Sequence, residues 1–280
     1  MSPKSDAERI AALALAEDGE SDLTTDLTVS SQAKAEGVIE YRSGGVLSGA
    51  AYADAVAKAC RCAVTWNTPE GSRVATGSNV AIVKGKLRDI LRAERPLLNL
   101  LQRASGIATA TRAFVDAVED TGCRILHTRK TAPGLRALDI AAVIAGGGMA
   151  HRTDLAHEVM VKDNHWRALA RDGGRLDQAL SKARQQGVRA LYVEVESMEQ
   201  LEMACAAGAT RLLIDNQSPE TIRKWAAVAR QRSPGIEIEA TGGITLDNVR
   251  AYALAGADFI SVGALTHSVR AADIALEVRF

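Results

Sequence analysis

The sequence predicts an α/β protein in two parts, the second a closed or nearly closed α/β barrel. Three observations predict it. From Cys123 onward, short apolar runs recur at 124–128 (RILHT), 158–164 (EVMVKDN), 190–196 (ALYVEVE), 211–216 (RLLIDN), 236–241 (IEIEAT) and 259–264 (FISVGA). Runs of this kind suit parallel strands covered on both faces. Helical patterns separate the later runs, and the last four strands recur every ~20–25 residues, a tight spacing even for βα units. No strand feeds a G-x-G-x-x-G turn into a helix, since Gly146-Gly147-Gly148 and Gly242-Gly243 lack that spacing, so a doubly wound nucleotide fold fits less well.

Taken in order, residues 1–30 read as an amphipathic helix carrying Ile10, Leu13 and Leu15, then an acidic loop in which Asp22 and Thr24-Thr25 cap a following turn. From Lys34 to Ser48 the pattern is strand-like, broken at Gly44-Gly45. A helix follows at 50–60, then CAVTWN, a turn at 68–71, and the hairpin-like run GSRVATGSNVAIVKGK. The first ninety residues therefore mix helix with short, antiparallel strands. A long helix covers Leu87 to Leu101; Pro96 within it predicts a kink or a new turn, and Ser105-Gly106 predicts its end. The next helix starts after that break, and the domain boundary is placed near residue 107. Beyond Cys123 the helices are 197–209, 218–232 and 246–257.

Composition narrows the function. Lysine plus arginine equals aspartate plus glutamate at 34 each, so the basic excess of a nucleic-acid binder is missing. No apolar run approaches the ~20 residues that span a bilayer, and Asp6, Glu8, Arg9 and Glu17 interrupt the only apolar N-terminal stretch, which is unlike a secretory leader. Cys60, Cys62, Cys123 and Cys205 form neither a C-x-x-C pair nor a zinc pattern, and read as free thiols in or near the core of a reduced, cytoplasmic protein.

In a neutral chain, the stretch from His127 to His165 is locally cationic, with Arg129, Lys130, Arg136, His151, Arg152, Lys162 and His165. Basic residues at the ends of buried elements, beside three glycines, suit a pocket for a small polyanion. α/β barrels place their chemistry at the C-terminal strand ends. Those ends here carry Thr128, Arg129 and Lys130; Lys162, Asp163 and Asn164; Glu194 and Glu196; Asp215-Asn216; Thr241-Gly242-Gly243; and Gly263 with Thr266 and His267 beyond it. Glycine turns after the last two strands suit a phosphate cradled by backbone N–H groups. Arg129, Arg152 and Lys162 imply an anion of several charges, which guanidinium forks match bidentately. Glu194 and Asp215 are placed to hold Mg²⁺ directly or through water, to bind ribose hydroxyls, or to stabilise a cationic sugar. Arg136 and His165 read as helix surface and strand-end cap.

TRKTAPGLRAL, AGGGMAHR and VMVKDNH resemble the quinolinate phosphoribosyltransferase family, also called carboxylating nicotinate-nucleotide pyrophosphorylases. The likeness continues, in order, through EDGESDLTTD, ERPLLNLLQRASGIATATRAFVDAV, YVEVESMEQL, LLIDNQSPE, EATGGITLDNVRAYALAGADFISVGALTHSV and DIALEV, nearly the whole chain. The resemblance implies the type II phosphoribosyltransferase architecture. That is an N-terminal α/β sandwich domain (1–107, joined by a returning segment 268–280) plus an incomplete α/β, TIM-like barrel (108–267). It implies a homodimer or larger assembly with Arg95 donated across the interface. It assigns Arg95, Thr128, Arg129, His151, Arg152 and Lys162 to quinolinate, and Lys130, Thr241, Gly242, Gly243, Gly263 and His267 to the phosphates of phosphoribosyl pyrophosphate. Lys130, Lys162, Glu194 and Asp215 would be catalytic, with Glu194 and Asp215 holding Mg²⁺ through water. The products would be nicotinate mononucleotide, pyrophosphate and CO₂, in NAD biosynthesis.

The chain departs from the family pattern at His127 (usually aspartate), Thr241 (often serine), Pro96 (commonly threonine) and Asp154 (frequently glycine). The rivals are a ModD-like paralogue linked to molybdate transport, a Schiff-base aldolase with Lys162 as nucleophile, and a non-enzymatic binder of phosphorylated metabolites. An intact Lys162-Asp163-Asn164-His165 segment favours the transferase.

Overall fold

The computed structural model describes residues 3–280. Two helices, α1 (Pro3–Glu17) and α2 (Leu23–Thr28), precede β1 (Lys34–Tyr41), β2 (Gly45–Val46), α3 (Ala50–Ala59), β3 (Ala63–Trp66), β4 (Arg73–Val74) and β5 (Ser78–Lys86). The long α4 (Leu87–Val118) leads to β6 (Arg124–Leu126), α5 (Arg136–Ala145), β7 (Val159–Val161), α6 (Asp163–Arg171) and α7 (Leu176–Gln185). Strand and helix then alternate: β8 (Leu191–Val195), α8 (Met198–Ala206), β9 (Arg211–Asp215), α9 (Pro219–Arg232), β10 (Glu237–Thr241), α10 (Val249–Leu254) and β11 (Phe259–Ser261). A single turn of helix, α11 (Ala264–His267), and β12 (Ile274–Arg279) close the chain.

The chain divides into two compact units, 1–112 with 130–148 and 264–280, and 113–129 with 149–263. In the first, a four-stranded sheet runs in the order β12-β1-β5-β3, with every pairing antiparallel. The final strand pairs with β1 from Glu36↔Arg279 to Tyr41↔Ile274. Ile39, Tyr41, Val80, Val83, Ile90, Leu97 and Leu101 lie in its core.

The second unit is an open, six-stranded parallel sheet in the order β6-β11-β10-β9-β8-β7. Successive strands are neighbours everywhere except between β6 and β7, the two edges, where a lone parallel bridge joins Leu126 to Met149. This is a barrel opened between its first two strands, and the parallel α/β class and incomplete barrel expected from the sequence are both present. Ser197 and Ser218 cap α8 and α9 by accepting the N–H groups of Gln200 and Thr221. Asp22 does the same for α2 by accepting from Thr25.

Three expectations are corrected. Ser105-Gly106 does not end a helix: α4 runs unbroken through both residues and through Pro96. Small residues are needed there for close approach. The Ser105 hydroxyl exchanges hydrogen bonds with the Ser48 N–H and carbonyl at 3.0 and 3.1 Å, and a Cβ on Gly106 would lie 2.2 Å from the Arg270 carbonyl oxygen. The run 71–86 is not a hairpin: β4 pairs with β2, while β5 pairs with β1 and β3. In α1 the inward stripe is Ala7, Ile10 and Ala11, and Leu13 is 54% exposed. The sequence reading also leaves α6 and α7 unassigned; both are strongly charged helices with few buried residues. All four cysteines are free and buried, as expected.

Candidate active site

Parallel pairing sets the strand ends of the second unit at one level. Glu194 sits opposite Leu213, Asp215 opposite Thr241, and Val161 opposite Val193 just before Lys162. Side chains alternate along a strand with a period of two. Hence Lys162, Tyr192, Glu194, Arg211, Asp215, Glu239, Thr241 and Ser261 share one face, while Val193, Leu212, Ile214, Ile238 and Ile260 form the opposite, buried face.

On the shared face the Lys162 ammonium ion-pairs with Glu194, a carboxylate only 7% exposed. The Glu194 carbonyl accepts the Trp166 indole N–H at 2.8 Å, which ties the strand end to α6. Lys162 is the N-cap residue of α6, and its backbone N–H donates to His165 Nδ1 at 2.9 Å, the strand-end role read for His165. One strand further, burial and the neighbouring Glu194 charge push the Asp215 carboxyl above its ordinary range, despite the Lys162 ammonium and the Asn216 amide that work against them. Among the described residues no cluster of three or more His, Cys, Asp or Glu side chains could hold a metal ion by itself.

Arg129 and Arg152 form the cationic side. Burial lowers the affinity of the Arg152 guanidinium for its proton, and the like charge of Arg129 lowers it further. The buried Nε of Arg129 has no hydrogen-bond partner among the described residues, nor does Glu158 Oε2. A buried guanidinium nitrogen without a partner is costly, and an anion is the group that relieves it. His151 lies beside them, edge-on to Tyr192 with ring centres 5.7 Å apart.

His127 is fully buried. Its Nε2 accepts the His151 N–H at 2.9 Å, and its Nδ1 faces the Thr128 carbonyl at 3.2 Å. It supports the chain beneath His151.

At the end of β10, Thr241 leads into Gly242 (φ +85°) and Gly243 (φ +61°). A Cβ on Gly242 would lie 2.1 Å from Asn216 Oδ1, so glycine is required there. Asn216 is left-handed too (φ 51°), and its N–H donates to the Thr241 carbonyl at 2.9 Å. This interlocks the ends of β9 and β10. Gly263 follows β11 and precedes α11.

Three expected site residues belong to the first unit. Lys130 has an exposed side chain, and its carbonyl accepts from the Thr266 hydroxyl at 2.9 Å. His267 is exposed, with Nδ1 2.7 Å from the Ser268 hydroxyl. Arg95 is on α4 with a 60% exposed side chain and a 3.9 Å pairing to Glu94. The loop carrying Lys130 is held by a group the sequence reading missed. Asp139, fully buried on α5, takes both Arg103 nitrogens at 2.8 Å and the Ala132 N–H at 3.1 Å. Glu239 and Arg211 were also missed, although glutamate alternating with isoleucine in IEIEAT signals a carboxylate on one strand face.

Fold and strand ends together define an α/β-barrel protein with cationic and carboxylate groups at the same strand level. Family models place it further. The quinolinate phosphoribosyl transferase N-terminal domain matches residues 22–105, and the C-terminal domain of the same family matches 107–277. The chain is 39% identical to nicotinate-nucleotide pyrophosphorylase [carboxylating] from Rattus norvegicus, covering 89% of this chain and 84% of that protein. It is 39% identical to the protein of that name from Mycobacterium leprae (strain TN), covering 92% and 91%. The solved nicotinate-nucleotide pyrophosphorylase of Francisella tularensis superposes with a TM-score of 0.92 at 32% identity, covering 100% of this chain and 98% of that one. The chain belongs to the quinolinate phosphoribosyl transferase family.

Proposed function

We propose that the chain transfers the phosphoribosyl group of phosphoribosyl pyrophosphate to quinolinate and decarboxylates the adduct, giving nicotinate mononucleotide, pyrophosphate and CO₂. The observation that carries this reading is the pair Arg129 and Arg152, two like charges held together at the cost of burial, with an orphaned Nε. A pyridine dicarboxylate needs two cationic clamps, and a bidentate carboxylate would satisfy that nitrogen. The Lys162–Glu194 pair argues against the aldolase reading, because a Schiff-base lysine sits in apolar, charge-free surroundings, and here a carboxylate lies directly against it.

In this reading Arg129, Arg152 and Lys162 seat the diacid and Thr128 lines the same strand end. Thr241, Gly242, Gly243 and Gly263 offer hydroxyl and backbone N–H groups to the sugar phosphate, and the family resemblance adds Lys130 and His267. Holding the ring nitrogen against the anomeric carbon removes much of the entropic barrier. The nitrogen lone pair forms the new C–N bond as the bond to pyrophosphate breaks. Glu194 and Asp215 stabilise the cationic sugar in between. The ring nitrogen is then cationic and takes up the electron pair released when the adjacent carboxylate leaves as CO₂; a proton from solvent fills the vacated ring carbon. Burial and the neighbouring Glu194 charge push the Asp215 carboxyl toward protonation, so Glu194 and Asp215 together would suit a divalent cation such as Mg²⁺. When bound, Mg²⁺ would neutralise the departing pyrophosphate.

We further infer a cytoplasmic homodimer or larger homo-oligomer in which Arg95 completes the partner's site. Among the described residues no helix is long and apolar enough to cross a membrane. The reaction is tested by incubating the protein with quinolinate, phosphoribosyl pyrophosphate and Mg²⁺ while following CO₂ and nucleotide. Stoichiometric release of both is expected, and pyrophosphate release without CO₂ would overturn the assignment. Arg152→Ala should raise the quinolinate KM by about tenfold or more while moving that for phosphoribosyl pyrophosphate far less. An unchanged quinolinate KM would place the diacid elsewhere.

A further inference from the structure

The chemistry above leaves Glu239 unused, although it is the most enclosed charge of the second unit's shared strand face, at 1% exposure. It lies below the strand ends, in mid-β10, and accepts from three directions. Oε1 takes the Ser261 hydroxyl at 2.5 Å. Oε2 takes Arg211 Nη1 at 3.1 Å and lies 3.2 Å from His151 Nε2. Burial alone would raise this carboxyl, but the hydrogen bonds from His151 and Ser261 and the Arg211 charge work against burial and hold Glu239 below its ordinary range. Arg211 is itself fixed, ion-paired to Glu237 at 2.8 Å and stacked over Phe259 and Tyr192 with its guanidinium carbon 3.9 and 4.7 Å from the ring centres.

An ionised carboxylate has no proton to give, so His151 Nε2 carries the proton of that bond. His151 Nδ1 is then bare, and it accepts the Arg152 backbone N–H at 2.6 Å. The His151 N–H donates in turn to His127 Nε2, so the His127 proton sits on Nδ1, toward the Thr128 carbonyl. The two imidazoles are therefore held as opposite tautomers, and both nitrogens of His151 are used within the protein.

We propose that Glu239 is a positioning residue that acts through His151: it orients the ring whose Nδ1 holds the Arg152 peptide, and so aims the Arg152 guanidinium at the diacid. Here His151 serves the ligand by way of Arg152 instead of touching it. The functional half of this inference rests on the proposed reading of Arg152; the tautomer half does not.

The test has two arms. In the wild-type protein without substrate, long-range ¹⁵N–¹H correlation spectra of ¹⁵N-histidine protein, assigned with single His→Gln variants, should show His151 as the Nε2–H tautomer and His127 as the Nδ1–H tautomer. A His151 in the Nδ1–H or imidazolium form near neutral pH overturns the proposal, whatever the enzyme's substrate proves to be. In the second arm, Glu239→Met removes the acceptor, and Glu239→Gln restores an oxygen for Nε2–H. The expected result is a quinolinate KM raised about tenfold in Glu239→Met, a phosphoribosyl pyrophosphate KM within about twofold of wild type, and most of the loss recovered in Glu239→Gln. Equal losses on both substrates, or no rescue, would mean that Glu239 serves only the core and would overturn the positioning role. Should Glu239→Met fail to fold, Glu239→Leu takes its place in the second arm, and the wild-type spectrum decides the tautomers in either case. Absence of nucleotide from wild-type protein would instead sink the functional reading and leave the tautomer result standing.

Discussion

Asp215 is where stability and function pull apart at the scale of one residue. Its carboxyl is raised by burial and by Glu194, so its ionised form is less comfortable folded than unfolded. The sign follows directly. The stabilisation such a group offers is complete below its unfolded pKa and is lost as pH rises through its raised folded value. At neutral pH the charge is therefore a burden on the fold. Asp215→Asn should raise Tm by about 2 °C at pH 7 while lowering turnover, and the Tm gain should shrink as pH falls through the carboxylate range. Equal Tm values for variant and wild type at every pH would mean that Asp215 feels no net repulsion. Most such residues were legible from sequence, because strand ends follow from apolar runs, and charged residues at those ends stand out against them. Glu239, Arg211 and Asp139 were not. Their partners come from 22–88 positions away in the chain, and no local pattern says that a strand-interior glutamate will meet a histidine and a serine.

At the scale of elements, the two glycines after β10 do different work. Gly242 has a left-handed backbone and a neighbour, Asn216, that already fills the place of a Cβ. Gly243 has the left-handed backbone but open space around it. Gly242→Ala should cost about 1–3 kcal/mol and weaken phosphoribosyl pyrophosphate binding. Gly243→Ala should cost about 1 kcal/mol from backbone strain alone. Urea melts of both variants read the difference, and equal costs would show that Asn216 moves aside freely. The elements also mark where local sequence signals mislead. Ser105-Gly106 carries a breaker's composition, yet its smallness serves the Ser48 backbone and the Arg270 carbonyl within one unbroken helix. The hairpin expected over 71–86 fails because β5 finds β1, a strand some forty positions earlier, and pairing of that range leaves no trace in local alternation.

At the scale of the whole molecule, the first unit's sheet is closed by the last strand of the chain, β12 on β1, a pairing that only the family likeness anticipated. The second unit is an open barrel whose strand ends hold most of the expected site, but Arg95 stands on α4 with its guanidinium largely exposed. If Arg95 serves the site of a second copy, two inactive variants should repair each other. Consider Arg95→Ala mixed with Lys162→Ala, unfolded and refolded together at equal amounts. Random pairing makes half the dimers mixed. In each mixed dimer the site that keeps Lys162 receives Arg95 from the other chain and is whole, while the second site lacks both. Roughly a quarter of wild-type activity should therefore return. If Arg95 instead serves the barrel of its own chain, every site in every combination lacks one residue or the other, and the mixture stays as inactive as its components. Size-exclusion chromatography of the refolded mixture separates that outcome from a failure to assemble: a dimer peak without activity rejects the shared site, and a dimer peak with a quarter of the activity establishes it.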